Sequence, residues 1–135
     1  MGTAYGANEI AWTLEFIDER MVDPETGPFY RQYHPSHDVV DNRLLGYNNA
    51  WIITFSHRIR PEVSERLYPV WKEIFVKEFG PYATVDGERR GASDEVAHLF
   101  GLWVAKEMGD VELYEKWQRG GSARRTASRT SCPGC

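Results

Sequence analysis

The densest group of chemically reactive side chains lies between His34 and Asn42, where the sequence reads HPSHDVVDN. This segment holds two imidazoles and two carboxylates, contributed by His34, His37, Asp38 and Asp41. Side chains of these types donate and accept protons, which is the requirement for general acid–base catalysis. The pattern therefore predicts an acid–base site, with Tyr47 as a further proton-transfer group a few residues later.

Two other interpretations of the same segment stay open. Asp41 or Asn42 is a natural N-cap for a following helix, because a short polar side chain there accepts hydrogen bonds from free backbone N–H groups. His34, His37 and Asp38 are also of metal-ligand type. However, H-x-x-H in a proline-containing loop is not a known zinc spacing, so we predict no metal.

The two cysteines, Cys132 and Cys135, form a C-x-x-C pair at the very end of the sequence. A bridge between them would close a very small loop, and no second ligand pair accompanies them. We therefore predict no redox site, zinc site or other cofactor. Because no cysteine pair staples the folded part, the sequence favours a reducing, cytoplasmic compartment.

Composition limits both size and partners. The chain has 135 residues, of which 41% are hydrophobic and 13% aromatic, and this is enough for one domain with a core but not for two. The net charge is −4, although the segment from Arg119 onwards holds arginines and no acid. We predict an acidic domain over residues 1–118 that does not bind nucleic acid, and a disordered tail rich in Arg, Ser and Thr over 119–135.

The N-terminal sequence carries no Lys or Arg before Arg20, and the longest apolar run, AWIITF at 50–55, is far too short to cross a membrane. We expect neither a signal peptide nor a membrane helix.

Apolar periodicity predicts that most of the chain is helical. The segment 44–57 is apolar on nearly every side, which is typical of a buried helix. Gly109 and Asp110 have the spacing of a tight turn between two helices, with Asp110 as an N-cap. The predicted elements are helices at 8–21, 44–57, 61 to about 79, 93–108 and 110–117, a loop at 24–41 and a short strand at 82–85.

Two short patterns occur twice in the chain. The form A-W-x-[LI]-x-F at 11–16 returns at 50–55, and L-Y-x-x-W at 67–71 returns at 113–117. Such repetition predicts helical hairpins in which an inner apolar helix pairs with an outer amphipathic one.

The segment 46–57 reads GYNNAWIITFSH, and it is followed by PE at 61–62, LYP at 67–69 and FGLWVAKEMGD at 100–110. Over residues 5–118 this sequence resembles the C-terminal half of the linalool dehydratase/isomerase-like family. The resemblance implies an all-α fold: helical hairpins that form part of an (α/α)6 toroid around a central cavity.

For function, the resemblance implies a cofactor-free lyase or isomerase of the dehydratase type, acting on a small apolar, terpenoid-type alcohol. Its acid–base residues are then His34, His37, Asp38, Asp41 and Tyr47. Asn48 and Asn49 would position the substrate hydroxyl. Trp51, Trp12 and Trp103 would line the apolar cavity, where aromatic faces also stabilise positive charge.

The alternative is a non-catalytic helical-repeat interaction module, or a truncated inactive paralogue. In either case half a toroid leaves its inner helices uncovered. We therefore expect self-association through the helices at 44–57 and 96–108.

Overall fold

The computed structural model describes residues 2–76 and 91–119 of the chain. In chain order its elements are α1 (Gly2–Arg20), β1 (Tyr30–His34), β2 (Val39–Leu44), α2 (Gly46–Ser56), α3 (Pro61–Phe75) and α4 (Gly91–Glu107). They are followed by α5, residues 111–119.

Two helical hairpins, α2–α3 and α4–α5, form the centre of the fold. Helix α2 packs against both α3 and α4. The C-terminal ends of α2 and α4 meet, since Nδ1 of His57 lies 3.1 Å from Oε1 of Glu107. The two helices are therefore parallel neighbours, each followed by a returning partner.

The turn between α4 and α5 confirms the sequence prediction. Gly109 adopts a φ of +70°, in the left-handed region that favours glycine at the end of a helix. Asp110 caps α5, because its Oδ1 accepts a hydrogen bond from the backbone N–H of Leu113 at 3.2 Å. The oxygen Oδ2 of Asp110 accepts hydrogen bonds from Tyr68 and Lys72 of α3, so the cap also joins the two hairpins.

The repeated L-Y-x-x-W pattern marks the centre of the core. Its leucines and tryptophans are buried in both copies, at Leu67 and Trp71 on α3 and at Leu113 and Trp117 on α5. The two indole rings meet edge to face, with centroids 6.0 Å apart. The two outer helices are thus held together by equivalent residues of the repeat.

The prediction of an all-α fold is wrong, because residues 24–41 are not an irregular loop. Strands β1 and β2 pair in an antiparallel hairpin with His34 opposite Val39 and Tyr30 opposite Leu44, and the register is interrupted between Tyr30 and Gln32. The structure is therefore mixed α/β, and residues 2–76 and 91–119 do not form the predicted partial toroid built only of helical hairpins.

The local sequence did not predict this hairpin. Its strands contain polar and charged residues on both sides, because little of the hairpin is buried, so no clear alternation of apolar residues arises. The turn at 35–38 closes through Asp38, whose φ of +49° is tolerated by an aspartate.

Helix α2 begins later than predicted and is less buried. Leu45 occupies the N-cap position with an extended backbone and no side-chain cap, whereas Asp41 and Asn42 belong to β2. Neither is therefore the predicted N-cap. Ala50 and Ile53 are fully buried, but Trp51 and Phe55 are exposed, so α2 is covered on one side only.

Among the described residues, no helix has the length and hydropathy required to span a bilayer. The predicted strand at 82–85 and nearly all of the predicted tail at 119–135 lie outside the described residues.

Candidate functional site

Three of the predicted catalytic residues lie at the turn end of the hairpin, His34 at the end of β1 and His37 and Asp38 in the turn, and all three are exposed. Asp38 accepts hydrogen bonds from Tyr33 at 2.8 Å and from Arg20 at 2.7 Å. Both bonds favour the carboxylate and lower the pKa of Asp38, with Tyr33 as the larger cause. Asp38 is therefore ionised at neutral pH and ties the turn to the end of α1.

Asp41, the fourth predicted residue, lies within a cluster of two guanidinium groups. Arg43 contacts it through Nη2 at 2.6 Å and through Nε at 2.9 Å, and Arg31 contacts it at 3.1 Å. The hydrogen bonds from Arg43 hold the pKa of Asp41 far below its usual range, against the effect of burial. A carboxylate in this position stays charged and is a weak proton acceptor.

Tyr47, the fifth predicted acid–base residue, and its neighbour Asn48 lie at the opposite end of the hairpin. Tyr47 and Asn48 are half-buried in the first turn of α2. The six residues of β2 separate them from the turn, which is about 20 Å at the rise of an extended strand. The structure therefore does not bring Tyr47 and Asn48 together with His34 and His37.

Asn49 is fully buried, and its amide group binds backbone atoms. Its Oδ1 accepts a hydrogen bond from the N–H of Phe29 at 2.7 Å, and its Nδ2 donates to the carbonyl oxygens of Phe29 and Leu45 at 3.0 and 3.1 Å. These bonds fasten the chain ahead of β1 to α2. The position suits a structural residue better than the predicted contact with a substrate.

Two of the three predicted cavity tryptophans do come together, on the outer side of the α2–α4 pair. The ring centroid of Trp51 lies 5.0 Å from that of Phe55, which lies 5.5 Å from that of Trp103. We call Trp51, Phe55 and Trp103 the aromatic face. Trp12, the third predicted tryptophan, lies on α1 and is 71% exposed.

A charged cluster that the sequence analysis did not select adjoins the aromatic face. Glu107 follows Trp103 by one helical turn on α4, and it pairs with His57 at 3.1 Å and with Arg58 at 3.3 Å. These two partners, Arg58 first, lower the pKa of Glu107. Because His57 and Glu107 are 50 positions apart, only the parallel packing of α2 and α4 reveals this pair.

Within residues 2–76 and 91–119, no three His, Cys, Asp or Glu side chains are grouped so as to hold a metal ion. No protein-family model matches the chain. The described site thus consists of an exposed aromatic face with an ion-paired cluster at one end.

Proposed function

We propose that this chain is a helical interaction module that associates with a second copy through its aromatic face. The observation that carries the proposal is the exposure of three touching aromatic rings on neighbouring helices. Trp51 is 45% exposed, and Phe55 and Trp103 are each 43% exposed. Large apolar side chains grouped in this way favour contact with another apolar surface, because burial removes their area from water.

The composition of α2 supports this proposal. The helix reads GYNNAWIITFS and has no charged side chain along its whole length. Desolvating its outer side therefore requires no burial of an ion, which is the largest cost that a docking surface can carry. Aromatic side chains are also the residues that most often dominate binding energy at protein interfaces.

Sedimentation velocity of the full chain over a range of concentrations tests the proposal. We expect a concentration-dependent shift from monomer to dimer, and we expect Phe55→Ser together with Trp103→Ser to raise the dissociation constant by about tenfold or more. Val111→Ser is the matched control, because Val111 is an exposed apolar residue outside the aromatic face. A chain that remains monomeric at high concentration contradicts the proposal, as does equal dimerisation of all three proteins.

A second candidate is the cofactor-free lyase or isomerase chemistry that the sequence implies, and the His57–Glu107 pair favours it. A carboxylate that holds Nδ1 of an imidazole orients the ring for proton transfer through Nε2. The aromatic face beside this pair offers an apolar surface for a small terpenoid-type alcohol. The family resemblance itself stays a prediction, and the comparison of His57 with His37 decides between this pair and the acid–base set predicted from His34 to Tyr47.

This second candidate is tested by incubating the chain with a panel of volatile terpenoid alcohols and analysing the products by gas chromatography. We expect loss of water or isomerisation that depends on His57, so that His57→Gln removes it while His37→Gln does not. Absence of any product, or equal activity in both variants, rejects an acid–base role for His57. Both candidates include the cytoplasmic location that the sequence predicts.

A further inference from the structure

The N-terminal half of α1 extends from the rest of the described structure. Every side chain from Ala7 to Thr13 is exposed, including Ile10 at 60% and Trp12 at 71%. We call residues 7–13 the arm. Ile10 and Trp12 are two positions apart and therefore lie on nearly opposite sides of the helix, so each is a separate exposed apolar side chain. Trp12 is the larger and the more exposed of the two.

The opposite end of α1 is anchored. Ile17 packs against the core, Arg20 pairs with Asp38 at 2.7 Å, and Asp18 pairs with Arg60 at 2.8 Å. Because a helix is a rigid rod, these contacts fix the direction in which the arm extends. The arm and the aromatic face are both exposed in the same molecule, so the arm does not cover the face of its own chain.

The arm and the aromatic face are complementary in chemistry. One side of α1 presents Trp12 between Glu9 and Glu15, which lie three positions before and after it. The aromatic face offers apolar rings next to Lys106, which is exposed, and next to Arg58, which is 72% exposed although it pairs with Glu107 at 3.3 Å. An acidic side of a helix with a central tryptophan therefore matches an apolar surface with basic residues near its end, and opposite charges of this kind orient two partners.

The repeat supports the same pairing. The arm begins the first A-W-x-[LI]-x-F pattern, whose second copy forms the aromatic part of α2. In α2 the tryptophan packs on the phenylalanine of the pattern. In α1, Phe16 instead packs on Tyr33 with centroids 4.7 Å apart, which leaves Trp12 without its counterpart.

We propose that the arm of one chain docks on the aromatic face of a second copy, and that the second copy returns the same contact. This inference rests on the proposed self-association and specifies the surface that covers the aromatic face. Two identical contacts related by a twofold axis would close the dimer and leave neither the arm nor the aromatic face exposed.

The test uses two variants of the full chain and their mixture. The arm variant carries Trp12→Ser, and the face variant carries Phe55→Ser and Trp103→Ser. We expect each alone to dimerise with a dissociation constant raised by about tenfold or more, because anchor side chains are lost from both contacts. The equimolar mixture should recover dimers, since an intact arm then meets an intact face in one of the two contacts.

Each alternative outcome overturns the inference in a recognisable way. If the face variant dissociates while the arm variant dimerises normally, two aromatic faces pack on each other, and the proposed function survives without arm exchange. If both variants dissociate and the mixture does not recover, the arm docks at another surface. If the unaltered chain is monomeric at high concentration, the inference and the proposed function fail together.

Folding of each variant is checked by far-UV circular dichroism. Should the serine variants lose helical signal, Trp12→Gln and Phe55→Gln replace them as milder changes at the same exposed positions. The mixing experiment is then read in the same way.

Discussion

Asn49 shows how a single buried amide can determine the course of the backbone. It binds both backbone polar groups of Phe29, 20 positions earlier, and so fixes the chain between α1 and the hairpin. An amide offers a donor and an acceptor at once, which no apolar side chain of similar size can do.

We predict that Asn49→Ala lowers the free energy of unfolding by about 2 to 3 kcal/mol, because it leaves the N–H and carbonyl groups of Phe29 buried without partners. Urea denaturation followed by circular dichroism measures the effect. Asn48→Ala is the matched control, since Asn48 is the half-buried neighbour. Equal loss of stability in the two variants would contradict this role for Asn49.

Asp41 has a different role at the same scale, because its charge stabilises the hairpin. The folded structure lowers the pKa of Asp41 below its ordinary value of 3.8 through Arg43 and Arg31. A carboxyl group whose pKa is depressed on folding contributes stability above its unfolded pKa, and this contribution is lost as the pH falls through the folded value.

We therefore predict that Asp41→Asn is less stable than the unaltered chain at pH 7, and that the difference shrinks as the pH falls below about 4. Urea unfolding at several pH values between 7 and 2.5 measures this trend. A difference that is constant over the whole range would show that the charge of Asp41 does not contribute.

At the level of elements, the close approach of α4 and α5 depends on Gly101. A Cβ atom at this position would lie 1.8 Å from Cζ3 of Trp117. The indole ring of Trp117 therefore occupies the space that any other residue would fill. This contact also explains why the second L-Y-x-x-W pattern can bury its tryptophan.

We predict that Gly101→Ala destabilises the fold by about 2 to 3 kcal/mol, because the methyl group forces α5 away from α4. Gly6→Ala is the control: Gly6 also lies in a helix, but its added Cβ meets nothing within 4 Å. That change should be neutral or slightly stabilising. Thermal unfolding of the two variants separates the clash from the effect of helix propensity, and equal melting temperatures would contradict the clash.

The helical hairpins show which elements sequence alone can predict. The helix over Pro61–Phe75, the cap at Asp110 and the turn at Gly109 were recognisable, because each depends on neighbours within one or two turns. The β-hairpin was not, because its strands are stabilised by pairing with each other and by ion pairs rather than by an apolar face.

At the level of the whole molecule, the described helices bury large aromatic side chains on one side and expose others on the opposite side. Helices α3 and α5 contact each other through the buried pair Trp71 and Trp117. Helices α2 and α4 instead expose the aromatic face to solvent. The arm adds Trp12, a further exposed apolar side chain. This asymmetry is the physical basis of the proposed association with a second copy.

We predict that the midpoint of urea unfolding rises with protein concentration, because association stabilises the folded state by mass action. Circular dichroism and light scattering on the same samples, over a hundredfold range of concentration, measure it. The midpoint of the face variant should depend less on concentration, because its dimer is weaker. If the midpoint of the unaltered chain does not depend on concentration, the chain does not associate with a second copy, and the prediction is wrong.

The sequence by itself determined where most helices lie, which residues end them and which tryptophans of the L-Y-x-x-W repeat enter the core. These features follow from helical periodicity and from local hydrogen bonding, both of which act over a few residues. For the same reason, the sequence did not show that the predicted residues lie at opposite ends of the hairpin. His37 and Tyr47 are only ten positions apart in the sequence, but the extended strand β2 between them keeps them far apart in space.

Only the tertiary structure decided what each apolar side contacts. It placed Asn49 against Phe29, joined His57 to Glu107, and left Trp51 and Trp103 at the surface. Periodicity groups side chains on one side of a helix, but whether that side meets a core, a ligand or a second copy depends on residues far away in the sequence.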